Sequence, residues 1–134
     1  MIDNSVTIIL PTYKEGESLP KLIPAIEELR TQSIPNLSLI IVDDDSNDGT
    51  EELIEELSLS WVTLIIRTEN RGLSPAVICG LEKATSEFCV VMDADGSHPP
   101  DTIPSMVQAL LDGADFVVGS RYVPGGTTQD GWGV

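Results

Sequence analysis

The carboxylates of Asp93-Ala94-Asp95 directly follow an apolar run. Two acids separated by one residue at a strand end can both reach a hard divalent cation or its waters. The same residues also suit a solvated turn, with Asp95-Gly96 as the turn pair. A second acidic group, Asp43-Asp44-Asp45, would repel itself if packed, so it needs compensation. A metal, the amides opening a helix near Thr50, or donors on a ligand such as a ribose or base could each supply it. The alternative is one capping carboxylate beside two solvated ones. Tyr13 and Glu15 stand just past another apolar run. There a ring can stack on a base and a carboxylate can accept from an N–H edge or a sugar hydroxyl, although an ordinary loop tyrosine fits equally. Arg121, in Gly119-Ser120-Arg121-Tyr122, carries a planar fork suited to phosphate or to an ion pair with the surrounding acid. His98, the one histidine, could join a metal near Asp95 or bond loop backbone.

Charge narrows the chemistry. With 7 Lys and Arg against 22 Asp and Glu, the net charge of -15 opposes DNA, RNA and anionic lipid, and no nucleic-acid partner is expected. Five carboxylates on two loops would also repel a phosphate, yet with a divalent ion between them the same loops become a diphosphate site. The chain has no Gly-x-x-x-x-Gly-Lys loop, no Gly-x-Gly-x-x-Gly and no nucleophile elbow, so P-loop hydrolysis, dinucleotide binding and acyl transfer lack support. Metal-bridged nucleotide binding is the chemistry that remains.

These loops must be held by regular elements, and the pattern alternates. Strands are expected over Val6 to Leu10, ended by Pro11, then Leu37 to Val42, Val62 to Arg67, Phe88 to Met92 and Phe116 to Gly119. Helices are expected over Leu19 to Leu29, kinked at Pro24 or starting later, then Thr50 to Leu57, Pro75 to Ala84 and Asp101 to Leu111. Ser18 is the expected N-cap of the first helix, and Asp48 with Glu51 has the spacing of a capping box for the second. This alternation implies βαβ crossovers and an α/β, Rossmann-like fold: a mostly parallel sheet with helices on both faces. In the common 3-2-1-4 strand order, ligands bind at the carboxyl ends of the strands, in the crevice beside strands 1 and 4. The loops Pro11 to Ser18, Asp43 to Gly49 and Asp93 to Pro100 lie at that end. Cys79 and Cys89, in apolar stretches, read as reduced buried thiols.

Five segments occur in the order seen in family 2 glycosyltransferases: Val6–Glu15, Val42–Thr50, Asn70–Leu73, Met92–Pro100 and Gly119–Tyr122. The chain most resembles the dolichol-phosphate mannose synthases and related polyprenyl-phosphate glycosyltransferases, over essentially its whole length. That resemblance implies a GT-A nucleotide-diphospho-sugar fold. Pro11, Tyr13 and Glu15 would hold the base, Val42 and Asp44 the base and ribose, and Asp93 and Asp95 the metal, with the Ala94 backbone lining the same pocket. Ser97 would neighbour the metal, Arg121 would contact phosphate, and Asp95 with Arg121 would be catalytic. Lys14 departs from the family's usual Asn, with a side chain expected to face solvent.

The implied reaction is inverting transfer of mannose from GDP-mannose to a polyprenyl phosphate, with Mg²⁺ or Mn²⁺ as Lewis acid on the leaving diphosphate. An acceptor phosphate is already ionised near neutral pH and needs no carboxylate base. A UDP-glucose or other nucleotide-sugar transferase, or a catalytically silent nucleotide-binding module, are the competing readings. The family's domain continues past Gly-Ser-Arg-Tyr, so residues 1–134 are expected to be its N-terminal donor-binding part, meeting a membrane only through the C-terminal part. An apolar face left open would then favour homo-oligomers. Without a secretory leader or an apolar run near the roughly 20 residues needed to span a bilayer, the expected location is cytoplasmic, or peripheral on the cytosolic face of a membrane.

Overall fold

A computed structural model describes residues 2–14, 18–46, 48–69, 71–92 and 102–113. The elements are β1 (Val6–Thr12), α1 (Leu19–Gln32), β2 (Leu37–Asp43), α2 (Thr50–Leu57), β3 (Val62–Ile66), α3 (Leu73–Lys83), β4 (Phe88–Val91) and α4 (Ile103–Leu111). The four strands form one parallel sheet in the order β3-β2-β1-β4, as the alternating pattern predicts. The fifth expected strand, Phe116 to Gly119, lies outside the described residues. No helix among the described residues is long and apolar enough to cross a membrane.

The period-2 pleat of the strands divides the core into two layers. Val6, Ile8 and Leu10 of β1, with Leu37, Leu39 and Ile41 of β2, face α1 and α4, where Leu22, Ile23, Ile26, Ile103 and Val107 complete the main cluster. The intervening residues Ile40 and Val42 face the other way and meet Ala76 of α3. Both central strands are buried on both faces, which is why they read as continuous apolar runs rather than alternating ones.

Several boundaries differ from expectation for identifiable reasons. Strand β1 passes through Pro11 to Thr12, because the N–H that Pro11 lacks belongs to the side that pairs with β4, where the Ile9 carbonyl already accepts from Met92 N–H at 3.1 Å. Helix α1 starts at Leu19 and continues through Pro24, held by buried Leu19, Leu22, Ile23 and Ile26. Ser18 caps it through its carbonyl, which accepts from Leu22 N–H at 3.0 Å, and not through its side chain. The capping box at α2 does not form: Gly49, at φ 91°, is the N-cap, while Asp48 Oδ1 accepts from Thr50 Oγ1 at 2.6 Å. Both cysteines are free thiols, half-buried rather than fully so.

Helix α3 sits unusually close to the sheet. A Cβ on Gly80 would fall 2.5 Å from Ile9 Cγ2 and 3.2 Å from Ile9 Cγ1, both branches of a fully buried side chain, so something must shift to admit it. Gly80→Ala should therefore destabilise the protein by about 1–2 kcal/mol, the overpacking cost outweighing the roughly 1 kcal/mol gained in helix propensity. Urea unfolding measures this, and a stabilised variant would mean that α3 can ride outward freely.

The crest of the sheet is fastened by Asp43, the last residue of β2 and only 3% exposed. Its Oδ1 accepts from Thr12 Oγ1 and from Ser46 Oγ, both at 2.6 Å, and its Oδ2 accepts from Ser46 N–H at 2.9 Å. Ser46 Oγ in turn accepts from Lys14 N–H at 2.7 Å, so one buried carboxylate ties the loop after β1 to the loop after β2. Asp43→Ala leaves these buried donors without their acceptor and should cost about 2–4 kcal/mol. Denaturant titration would show it, and a loss below about 1 kcal/mol would mean that the hydroxyls find other partners.

Candidate active site

Asp44 is the first residue past β2, and its N–H donates to the Thr12 carbonyl at 3.0 Å, which continues the ladder by one bond. Its side chain is fully buried. Oδ2 accepts from Gly72 N–H at 2.6 Å. Gly72 is the N-cap of α3 at φ 127°, a backbone conformation other residues rarely adopt, and so the positive end of α3 is turned onto the carboxylate. Oδ1 is equally buried and accepts no hydrogen bond among the described residues. The guanidinium of Arg67, just after β3, stands 3.8 Å from it.

Within the protein, the acidic triplet is compensated from a direction other than the helix near Thr50. The helix amide comes from α3, not from α2, and a guanidinium supplies the remaining charge. Nor is the triplet one cap beside two solvated acids, because Asp43 and Asp44 are both buried. Asp45 is half-buried at φ 56°. An acceptor with open lone pairs inside a buried site is suited to a donor that arrives with a ligand.

Tyr13 lies beside this carboxylate's loop, half-buried, with Lys14 Nζ 5.2 Å and the Arg71 guanidinium 5.1 Å from its ring centroid. The hydrogen bond from Arg71, and then the charge of Lys14, draw the Tyr13 phenol below its usual value of 10. Lys14 is exposed, as expected, and occupies the left-handed region at φ 59°. That conformation favours Asn, and here it lets the Lys14 side chain lie over the ring while its N–H keeps the bond to Ser46.

Other expected site residues are placed differently. Pro11 is buried within β1 opposite Val42, and the Val42 side chain is in the apolar layer with Ile40 and Ala76, so both shape the site from beneath. Glu15, Asp93, Ala94, Asp95, Ser97, His98 and Arg121 lie outside the described residues. Among the described residues no group of three or more Asp, Glu, His or Cys side chains is arranged to hold a metal. Next to the crest, a cleft of about 250 Å³ is lined by Asp43, Asp45, Asp48, Thr50 and Ile66, among others.

Thr12, Ser46 and Arg67 are structural members of the site that pattern reading does not single out. Their signal was positional: short hydroxyl residues and a cation immediately at the ends of apolar runs, on loops that the strand order brings together.

Known proteins resemble the chain in sequence and in fold. The chain is 44% identical over 126 residues to the dolichol-phosphate mannosyltransferase of Pyrococcus furiosus, covering 93% of this chain and 35% of that protein. It is 38% identical to the polyprenol monophosphomannose synthase of Mycolicibacterium smegmatis, covering 92% of this chain and 47% of that one. The chain thus spans less than half the length of these curated relatives. Among solved structures, the mannosyltransferase PcManGT from Pyrobaculum calidifontis, in complex with GDP-Man and Mn²⁺, superposes with a TM-score of 0.72 at 32% identity, over 84% of this chain and 34% of that one. Glucosyl-3-phosphoglycerate synthase from Mycobacterium tuberculosis shares the fold, with a TM-score of 0.67 at 22% identity over 82% of this chain and 41% of that one. The model of glycosyl transferase family 2 matches residues 7–134, and the chain belongs to that family.

Proposed function

We propose that this chain is the donor-binding part of a metal-dependent inverting glycosyltransferase that moves mannose from GDP-mannose to a polyprenyl phosphate. The observation that carries the reading is Asp44: a fully buried carboxylate at the crest of a parallel sheet, with one oxygen held by the N-terminus of α3 and the other open as an acceptor. Such a group selects a ligand by its N–H or O–H donors, and the neighbouring Tyr13 ring offers a face for a base. The PcManGT relative was solved with GDP-Man and Mn²⁺, and the two curated relatives are named for dolichol phosphate and for polyprenol monophosphomannose.

In this reading Asp93 and Asp95 hold Mg²⁺ or Mn²⁺, since paired carboxylates are hard oxygen donors suited to either ion. The metal supplies Lewis-acid stabilisation of the leaving diphosphate. Arg121 adds positive charge on the phosphate side, in a chain whose net charge of -15 otherwise opposes an anionic ligand. Asp44 and Tyr13 orient the nucleoside, and orientation is the main contribution the protein makes when the acceptor is already an ionised phosphate. The membrane-bound acceptor is met by parts of the longer protein beyond the donor pocket, on the cytosolic side.

Thermal unfolding with GDP, GDP-mannose, UDP and UDP-glucose, each with and without Mn²⁺, tests the reading. A guanine ligand at 100 times its Kd should stabilise the protein by about 2.7 kcal/mol, and only in the presence of metal. Asp95→Ala should abolish the metal-dependent part of that shift. A preference for the uracil ligands would replace the donor with a UDP-sugar. No shift with any of the four ligands would overturn the assignment of a donor pocket to this chain.

A further inference from the structure

We propose that Arg67 is the positioning residue of the donor pocket: it compensates the Asp44 charge from a distance that leaves Oδ1 free for the ligand. The inference rests on reading Asp44 as a nucleoside-binding group. Arg67 lies in none of the five segments that carry the family resemblance.

The geometry is unusual for an ion pair. Nη1 of Arg67 is 3.8 Å from Asp44 Oδ1, within Coulombic reach but beyond the roughly 2.7–3.2 Å of an N–H···O bond. Asp44 is fully buried, Arg67 is only 11% exposed on its side chain, and a carboxylate in such a place is costly unless a counter-charge is near. Among the described residues, the other charged groups on the loops around it do not take this role. Asp43 and Asp45 have the same sign as Asp44, Lys14 and Arg71 lie over the Tyr13 ring, and Glu69 has the same sign again.

Arg67 is also held where it stands. Its N–H donates to the Asp43 carbonyl at 2.8 Å, prolonging the pairing of β3 with β2, and its Nη2 donates to the Glu69 carbonyl at 3.2 Å. A guanidinium drawn closer would fill the lone pairs of Oδ1 and close the acceptor. One removed would leave a buried anion supported by a single amide. The tether at the end of β3 holds the cation between these two failures, so that the charge is met and the acceptor stays open.

A double-mutant cycle separates this role from a general contribution to folding. Four proteins are compared: the parent, Arg67→Met, Asp44→Asn and the double variant, with Arg67→Lys as the charge-keeping control. The first readout is the Kd for GDP and for UDP, each with Mn²⁺, by titration calorimetry. Arg67→Met should weaken binding about tenfold when Asp44 is present and less than about twofold in the Asp44→Asn background, while Arg67→Lys stays within about threefold of the parent. Equal losses in both backgrounds would overturn the proposal. The second readout is the thermal midpoint without ligand. Arg67→Met should lower it, and Asp44→Asn in the same chain should restore most of the loss. An Arg67→Met protein that folds only when Asp44→Asn accompanies it is the same coupling in its extreme form, whereas an equal drop, or failure to fold in both backgrounds, would overturn the pairing. If the parent binds neither nucleotide, the donor-pocket reading fails by itself, and the midpoint cycle then decides whether Arg67 and Asp44 act as a pair.

Discussion

The upper end of this molecule is organised around one buried anion. Asp43 closes β2 with its carboxylate turned into the space between two loops, where hydroxyls of Thr12 and Ser46 and the Ser46 amide converge on it. Parallel strands end together on one edge of a sheet, so the loops that leave them start as neighbours with unpaired backbone groups. Without an internal acceptor, each loop would satisfy those groups separately with water. With Asp43 the loops share one acceptor, and through Ser46 the bond reaches the Lys14 amide, beside the Tyr13 ring.

Two consecutive aspartates then divide the work according to which side of the chain they face. Asp43 turns toward β1 and has both oxygens engaged within its own loops, which makes it structural. Asp44 turns toward the start of α3 and the end of β3, where it receives a single amide and a guanidinium at a distance. Adjacent strand residues point to opposite sides, so two identical side chains acquire different chemistry from a pleat alternation alone. The site therefore draws on the ends of four elements: Thr12 and Tyr13 at the end of β1, the acidic pair at the end of β2, Arg67 just after β3, and the Gly72 amide with Arg71 at the start of α3.

Helix α3 carries the consequences of that demand. Its N-terminus must reach Asp44, and its middle is pressed onto β1 at Gly80, the closest helix–sheet approach among the described glycines. The helix buries only Ala76 and Gly80 fully, and Ile78 and Leu81 remain exposed on its outer side. The opposite face of the sheet has α1, α2 and α4 and the larger core. Stability resides mainly on that face, while the thinner α3 face is given to positioning the site.

The sequence by itself determined the class of the fold and the end of the sheet at which the candidate residues gather. Unbroken apolar runs at β1 and β2 with helices between them admit few arrangements other than a parallel sheet, and handed crossovers leave the β3-β2-β1-β4 order among the simplest. It also placed Asp44 and Tyr13 at that end, because both fall immediately past those runs. Only the tertiary structure decided which aspartate is structural, that the compensating helix is α3, and that Arg67 stands behind Asp44. Those facts depend on which loops become neighbours and on the sense of the pleat at each strand end, and contacts between Asp44 and Gly72, 28 residues apart, leave no local trace in composition or spacing. The same holds for Val42: its type and place suit a pocket wall equally well, and the pleat turned its side chain into the layer beneath α3.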